Sequence, residues 1–207
     1  MNNEVPLDSD ATPEASQNPS DNQISFNISI GTDRDKFLRR TCPSCGRDFK
    51  TEVDPADLAW ALTSQIGRAS EELGLPAVSV PEDTAESQLR CPYCQHLGPA
   101  SEVHTEETMD YLKRFAYRNY LVPKLNEMFS GMEDSIGRQG GGSGGLISFS
   151  VSFEHEPIPL PPRPIHGPEP ADMKIVEFLC CGQKMKIVEY WTAVSECIYC
   201  GVKVAMV

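Results

Sequence analysis

The sequence predicts an α+β fold: two small cysteine-held modules, a helix inserted within the first, and a long proline-kinked helix, all behind a disordered acidic tail. Three observations lead there. Eight cysteines fall in four close pairs, two short stretches alternate apolar and polar residues, and two longer stretches carry helix caps with an apolar stripe of helical period.

The chain has 207 residues, 40% apolar and 23% charged, which suits one domain or two small ones. Its net charge is −12, and the first 33 residues hold six acids and no base, so half of that charge sits in the first sixth of the chain. Residues 1–22, rich in Asp, Asn, Ser and Pro, hold too little apolar surface to offset ordering entropy and are expected to be a disordered acidic tail. No run approaches the roughly 20 apolar residues that cross a bilayer. The opening MNNEVPLDSD carries acid where a secretory signal needs base. A cytoplasmic protein with reduced thiols is therefore expected, and metal rather than disulfide chemistry for its cysteines.

In QISFNISIGTD, Ile24, Phe26, Ile28 and Ile30 alternate with Ser25, Asn27 and Ser29, which predicts a strand over 23–31 with one buried face. LISFSVSFE repeats the pattern and predicts a second strand over 146–154. The two suit one sheet, or each pairs locally with a hairpin; an exposed edge is also able to pair across a dimer.

Asp54 followed by Pro55 reads as an N-cap with proline at the first helical position, and Gly74 closes the far end. Between them Leu58, Leu62, Ile66, Ala69 and Leu73 fall within a sector of about 80°. Trp60 lies on the opposite face, either as an anchor for another protein or as a side chain covered by its own chain.

From Thr105, a cap followed by Glu106, Glu107 and Asp110, a helical pattern runs to about Arg138. Pro123 should kink or break it. Met109, Leu112, Ala116 and Tyr120 share one side, whereas Leu121, Leu125, Met128, Phe129, Met132 and Ile136 lie nearly opposite. Either the helix bends into two halves of one core, or the Met-rich second half faces a partner. GRQGGGSGG reads as a flexible linker and PIPLPPRPIHGPEP as a stiffer polyproline spacer. The expected organisation is a tail over 1–22, a first unit over 23–138, a linker region over 139–170 carrying the strand 146–154, and a second unit over 171–207.

The cysteine pairs carry the chemistry: Cys42 and Cys45 in TCPSCG, Cys91 and Cys94 in RCPYCQ, Cys180 and Cys181 in FLCCGQ, Cys197 and Cys200 in ECIYCG. Zinc takes four thiolates tetrahedrally, and a CxxC turn aims two sulfurs at one point while its amides hydrogen-bond to them. Gly46, Gly182 and Gly201 follow the second Cys, where such a turn needs a left-handed residue. Two structural Zn2+ ions are the expected cofactors; four thiolates also suit iron. Pairing of the first two motifs with each other and the last two with each other is expected, crossed pairing being the alternative.

Residues 171–207 resemble zinc-ribbon domains, with both cysteine turns on β-hairpins. The first turn departs from that pattern, since Phe178 stands where a ligand belongs. Cys180 must then reach the metal from the neighbouring position, or His166 must replace it. Cys42 to Cys94 also resembles a zinc ribbon, but 45 residues separate its halves and the Leu58 to Leu73 helix fills much of that gap.

Closed thiolate sites and the lack of HExxH, P-loop, GxSxG and Rossmann patterns point away from an enzyme, and no small-molecule substrate is expected. The expected role is a scaffold or adaptor that binds another protein or itself, through Trp60 and the Leu125, Met128, Phe129 and Met132 stripe. The alternative is a nucleic-acid accessory role, as the ribbon resemblance implies, through Arg34, Lys36, Arg39, Arg40, Arg47 and Lys50; the acidic total opposes it.

Overall fold

The computed structural model describes residues 27–75, 86–139, 156–168 and 172–204, with side chains in the second segment through 135. The expected acidic tail, the strand at 146–154 and residues 140–145 of the Gly-rich linker lie outside the described residues, whereas 137–139 of that linker end the last described helix. Among the described residues there are six short strands and three α-helices: β1 (Phe37–Thr41), β2 (Asp48–Glu52), α1 (Pro55–Glu72), β3 (Gln88–Arg90), β4 (Leu97–Pro99), α2 (Glu106–Ala116), α3 (Val122–Gln139), β5 (Lys174–Glu177) and β6 (Lys184–Ile187). β1, β2, β6 and β5 form one antiparallel sheet in that order, and β3 pairs with β4.

Register assigns the faces of the larger sheet. Leu38 opposes Thr51, Arg40 opposes Phe49, and Thr51 opposes Met185, so these residues share one face. The Leu38 end of that face packs on helices α1 and α2 with Leu58, Leu62, Ile66, Leu112 and Phe115. The other end, with Phe49, Met185 and Ile187, packs on Leu89, Val103, Val194 and Ile198. Strands β2 and β6 thus carry the two cysteine-bearing halves of the chain into one core.

The opposite face carries Phe37, Arg39, Lys50 and Lys186, with Lys50 directly across from Lys186. Two buried ammonium groups side by side repel unless anions answer them. Asp33 lies 2.6 Å from Lys186 and 3.5 Å from Lys50, with Asp35 and Asp172 completing the set at 2.6 and 3.2 Å. Lys186 Nζ also sits 5.0 Å above the ring of Phe37.

The alternation at 23–31 does not produce a strand in its described part. Residues 27–33 form no ladder; instead Ile28 and Ile30 pack on the α1–α2 cluster, and the Tyr111 hydroxyl donates to Ser29 O at 2.6 Å. Helix α1 meets its expected ends: Asp54 Oδ1 accepts the Ala56 N–H at 2.9 Å, and Gly74 takes φ +67°.

Thr105 caps α2 by accepting the Thr108 N–H at 3.2 Å. Of the two outcomes expected at Pro123, a kink or a break, the break does not occur: the helical run continues from α2 into α3. Residues Tyr117–Leu121 form a π-helical turn, and the Val122 N–H reaches back to Tyr117 O. The extra residue in that turn relieves the clash a proline ring makes with the preceding turn, and it also rotates the apolar face. Leu121 is thereby fully buried with Ala69 and Leu75.

The Pro-rich stretch, expected as a spacer, lies along these helices. Asn126 clamps Ile158 through two bonds, donating to its carbonyl at 2.9 Å and accepting its N–H at 2.8 Å. Arg118 bonds the Pro161 carbonyl, and His166 meets Thr108 at 3.2 Å. No described helix is long and apolar enough to cross a membrane.

Candidate metal centres

All eight cysteines sit on four turns of one design. The opening residue donates its N–H to the carbonyl five residues on and accepts the N–H four residues on: Cys42 with Arg47 and Gly46, Cys91 with His96 and Gln95, Phe178 with Gln183 and Gly182, and Cys197 with Val202 and Gly201, all at 2.7–3.1 Å. The residue after the last cysteine is left-handed in each, with φ +67°, +61°, +71° and +71°. Gln95 occupies that position in the second turn, where a side chain costs about 1 kcal/mol or more.

The turns converge in pairs. Cys42, Cys45, Cys91 and Cys94 form one cluster, and Cys180, Cys181, Cys197 and Cys200 the other, each with all sulfurs within 4.8 Å of one another. Crossed pairing is not adopted. A tetrahedral ion with metal–sulfur bonds of about 2.3 Å needs sulfurs about 3.8 Å apart. Cys42 and Cys94 are 3.6 Å apart and Cys45 and Cys91 3.8 Å; in the second cluster the Cys181–Cys197, Cys180–Cys181 and Cys180–Cys200 separations are 3.6, 4.0 and 3.4 Å. These are far from the roughly 2.05 Å of a disulfide. Each cluster can hold one metal ion and is compatible with a zinc-ribbon-like site.

A second repeated contact ties the turns of each cluster together. Tyr93 and Tyr199 both precede the last cysteine of their turns. Tyr93 donates its hydroxyl to Asp48 O at 2.8 Å, and Tyr199 to Lys184 O at 2.7 Å; each acceptor lies three residues after the second cysteine of the opposing turn. These tyrosines are not among the site residues expected from the sequence, although both turns share the dipeptide YC. Tyr93 also accepts the Val188 N–H at 3.2 Å, and Arg90 pairs with Glu196 at 3.3 Å, so the two clusters are cross-linked.

Burial separates the positions. The cysteine that opens a turn is buried, as at Cys42, Cys91 and Cys197, and the later one is exposed. Phe178 fills the opening position of the third turn and is equally buried, its ring edge-on to Tyr199 at 6.2 Å. Cys180 is therefore an exposed residue inside the turn, with Leu179 beside it 97% exposed. His166 is not drawn in, being held by Thr108.

Burial pushes the Cys91 thiol up and that of Cys197 up to about 12. For Cys94 the upward push of burial is outweighed by the His96 N–H and the neighbouring thiols, which draw it down to about 7. A bound dication would reverse the upward shifts, since coordination deprotonates a thiol outright.

The six basic residues of 34–50 meet different partners, Arg39 and Lys50 sharing one sheet face and Asp172. Arg40 is buried, bonded to Thr51 at 3.1 Å, Asp57 at 3.3 Å and His104 at 2.8 Å, and Lys50 is buried beside Asp33. Arg39 meets Asp48 and Asp172, Arg34 meets Asp35, and exposed Lys36 takes φ +68° in a turn. Arg47 stacks over Trp191 at 4.9 Å and Tyr93 at 5.5 Å. Among the candidate partner residues, Trp60, Leu125 and Phe129 are half-buried, whereas Met128 and Met132 are exposed. Comparison with family models, curated proteins and solved structures finds no match for this chain.

Proposed function

We propose that the two clusters bind structural zinc and that the protein is a non-catalytic scaffold that binds another protein or a second copy of itself. The carrying observation is the repeated turn geometry, which gathers four sulfurs twice at tetrahedral spacing. Thiolate ligands in a tetrahedron suit zinc or iron, and nothing in the sequence suggests an electron-transfer partner. Four protein ligands complete the shell and leave no position for substrate, which is why the reading is structural. Met128 and Met132, one helical turn apart and exposed on α3, supply the adaptor surface. Nucleic-acid binding has weaker support, because Arg40 and Lys50 answer internal carboxylates instead of phosphates.

Metal analysis of the full chain purified without chelator should find two zinc ions per chain; iron, or no metal, overturns the zinc reading. Replacing Met128→Lys and Met132→Lys should abolish co-purification or self-association while metal content stays at two. A strictly monomeric, partnerless native chain overturns the adaptor reading.

A further inference from the structure

The second cluster differs from the first at one corner, and that corner is reactive in kind. Where the other three turns open with a buried cysteine, the third opens with Phe178, and its ligand is displaced to Cys180. Three of the four sulfurs in this cluster are on exposed residues, against two in the first. Cys180 and Cys200, both exposed, have their sulfurs 3.4 Å apart. In the first cluster the Cys42–Cys94 and Cys45–Cys91 separations, 3.6 and 3.8 Å, each join an exposed cysteine to a buried one, and the exposed Cys45 and Cys94 lie within 4.8 Å of each other. Cys181 is a poorer partner for Cys180, being its chain neighbour at 4.0 Å. The backbone bonds of the third turn and its Phe178 plug do not involve its thiols.

We propose that Cys180 and Cys200 are an oxidative modification site at which a peroxide forms a disulfide and expels the metal of the second cluster, while the first cluster stays loaded. This rests on the zinc reading above. The Cys180 thiolate attacks the peroxide O–O bond, gaining one oxygen as sulfenic acid and releasing hydroxide. The Cys200 thiolate then attacks that sulfur, forming the S–S bond and releasing a second hydroxide. Two thiolates are oxidised by two electrons in all, and the peroxide is reduced by the same two. Cys181 and Cys197 alone are two ligands, too few to retain the ion, which leaves as the aqueous dication. Closing 3.4 Å to a bond of about 2.05 Å needs only a small movement of an exposed turn.

The test uses the full chain carrying two zinc ions. Hydrogen peroxide is titrated in, released metal is read with a chromogenic chelator, and cysteines are assigned by alkylation and peptide mapping. The first metal equivalent should leave at about tenfold lower peroxide than the second, with a Cys180–Cys200 disulfide that a thiol reductant reverses. Simultaneous loss of both equivalents, earlier loss from the first cluster, or a disulfide between other cysteines overturns the proposal. The paired variant Phe178→Cys with Cys180→Ser returns the ligand to the buried position and should raise the peroxide requirement of the second cluster to that of the first; unchanged sensitivity overturns the proposal. Should that variant not fold, the native map decides alone. A chain that never holds metal in the second cluster removes the zinc reading and this proposal together, whereas two ions lost in step remove this proposal only.

Discussion

The cluster of Cys42, Cys45, Cys91 and Cys94 and that of Cys180, Cys181, Cys197 and Cys200 use the same turn, the same left-handed residue and the same tyrosine cross-tie. They differ in what is asked of the buried opening position. In the first cluster both buried positions hold sulfur, so the core and the four-sulfur cluster are one object. In the second, Phe178 takes one of them for the core, and the sulfur moves outward. The comparison teaches that burial and ligation are separable duties: a turn keeps its shape with an aromatic ring where a ligand would be, provided a neighbouring residue supplies the sulfur.

The largest effect that tests this contrast comes from ligand removal. Cys91→Ser should lose one metal ion and unfold the first unit, since structural zinc contributes on the order of 10 kcal/mol in small modules. Cys180→Ser should weaken metal at the second cluster while the apo turn persists, as circular dichroism with metal counting would show. Equal unfolding by the two variants breaks the comparison.

A smaller effect is expected at the plug itself. Phe178→Ala should cost about 3–5 kcal/mol in denaturant unfolding, the usual range for emptying a buried aromatic site, whereas Leu179→Ala beside it should change stability by less than about 0.5 kcal/mol. Similar costs at the two positions would mean that the ring is no part of the core.

The smallest effect concerns the anchoring of the first cluster's hairpin to α1 through Arg40, Asp57 and His104, for which the β5–β6 hairpin has no described counterpart. Burial, then the charge of Arg40, pulls His104 from its ordinary 6.5 down to about 3. The unfolded chain binds this proton near pH 6.5 and the folded chain does not, so stability is fully present above about 6.5 and is lost as pH falls toward 3. Between pH 7 and pH 5 the loss should reach about 1–2 kcal/mol. Thermal melts of His104→Gln should show a shallower acid slope than the native chain; protonation of metal ligands is common to both and drops out of the difference. Identical slopes would deny the anchor.

The α+β class, helix α1 with its caps, and the grouping of cysteines were legible because each is written in local spacing: Asp54-Pro55, an apolar stripe, CxxC. What was not legible depends on residues far apart. Arg40 and Lys50 read as a basic surface only until Asp57, Asp33 and Asp172 arrive to bury them. Ile28 and Ile30 alternate as a strand would, but alternation reports one covered face and says nothing of what covers it; helices do so here. Pro123 signals a lost hydrogen bond, but the π-helical turn before it, with Leu121 buried against Ala69 of α1, has no local signal in the spacing.

The pairing of β2 with β6 has a consequence for synthesis. Lys50 and Lys186 are register partners, so the central seam of the larger sheet closes a loop spanning most of the chain. The length-dependent entropy of that closure is about 4 kcal/mol, and it falls due before any contact across the seam forms. A nascent chain can fold the α1–α2 pair and close the first cluster while β6 is still inside the ribosome, but the edge of β2 stays open until β6 emerges. During that interval β2 is paired on its β1 side alone, with Lys50 in the middle of the strand, and a charge there discourages the wrong strand from taking the place of β6.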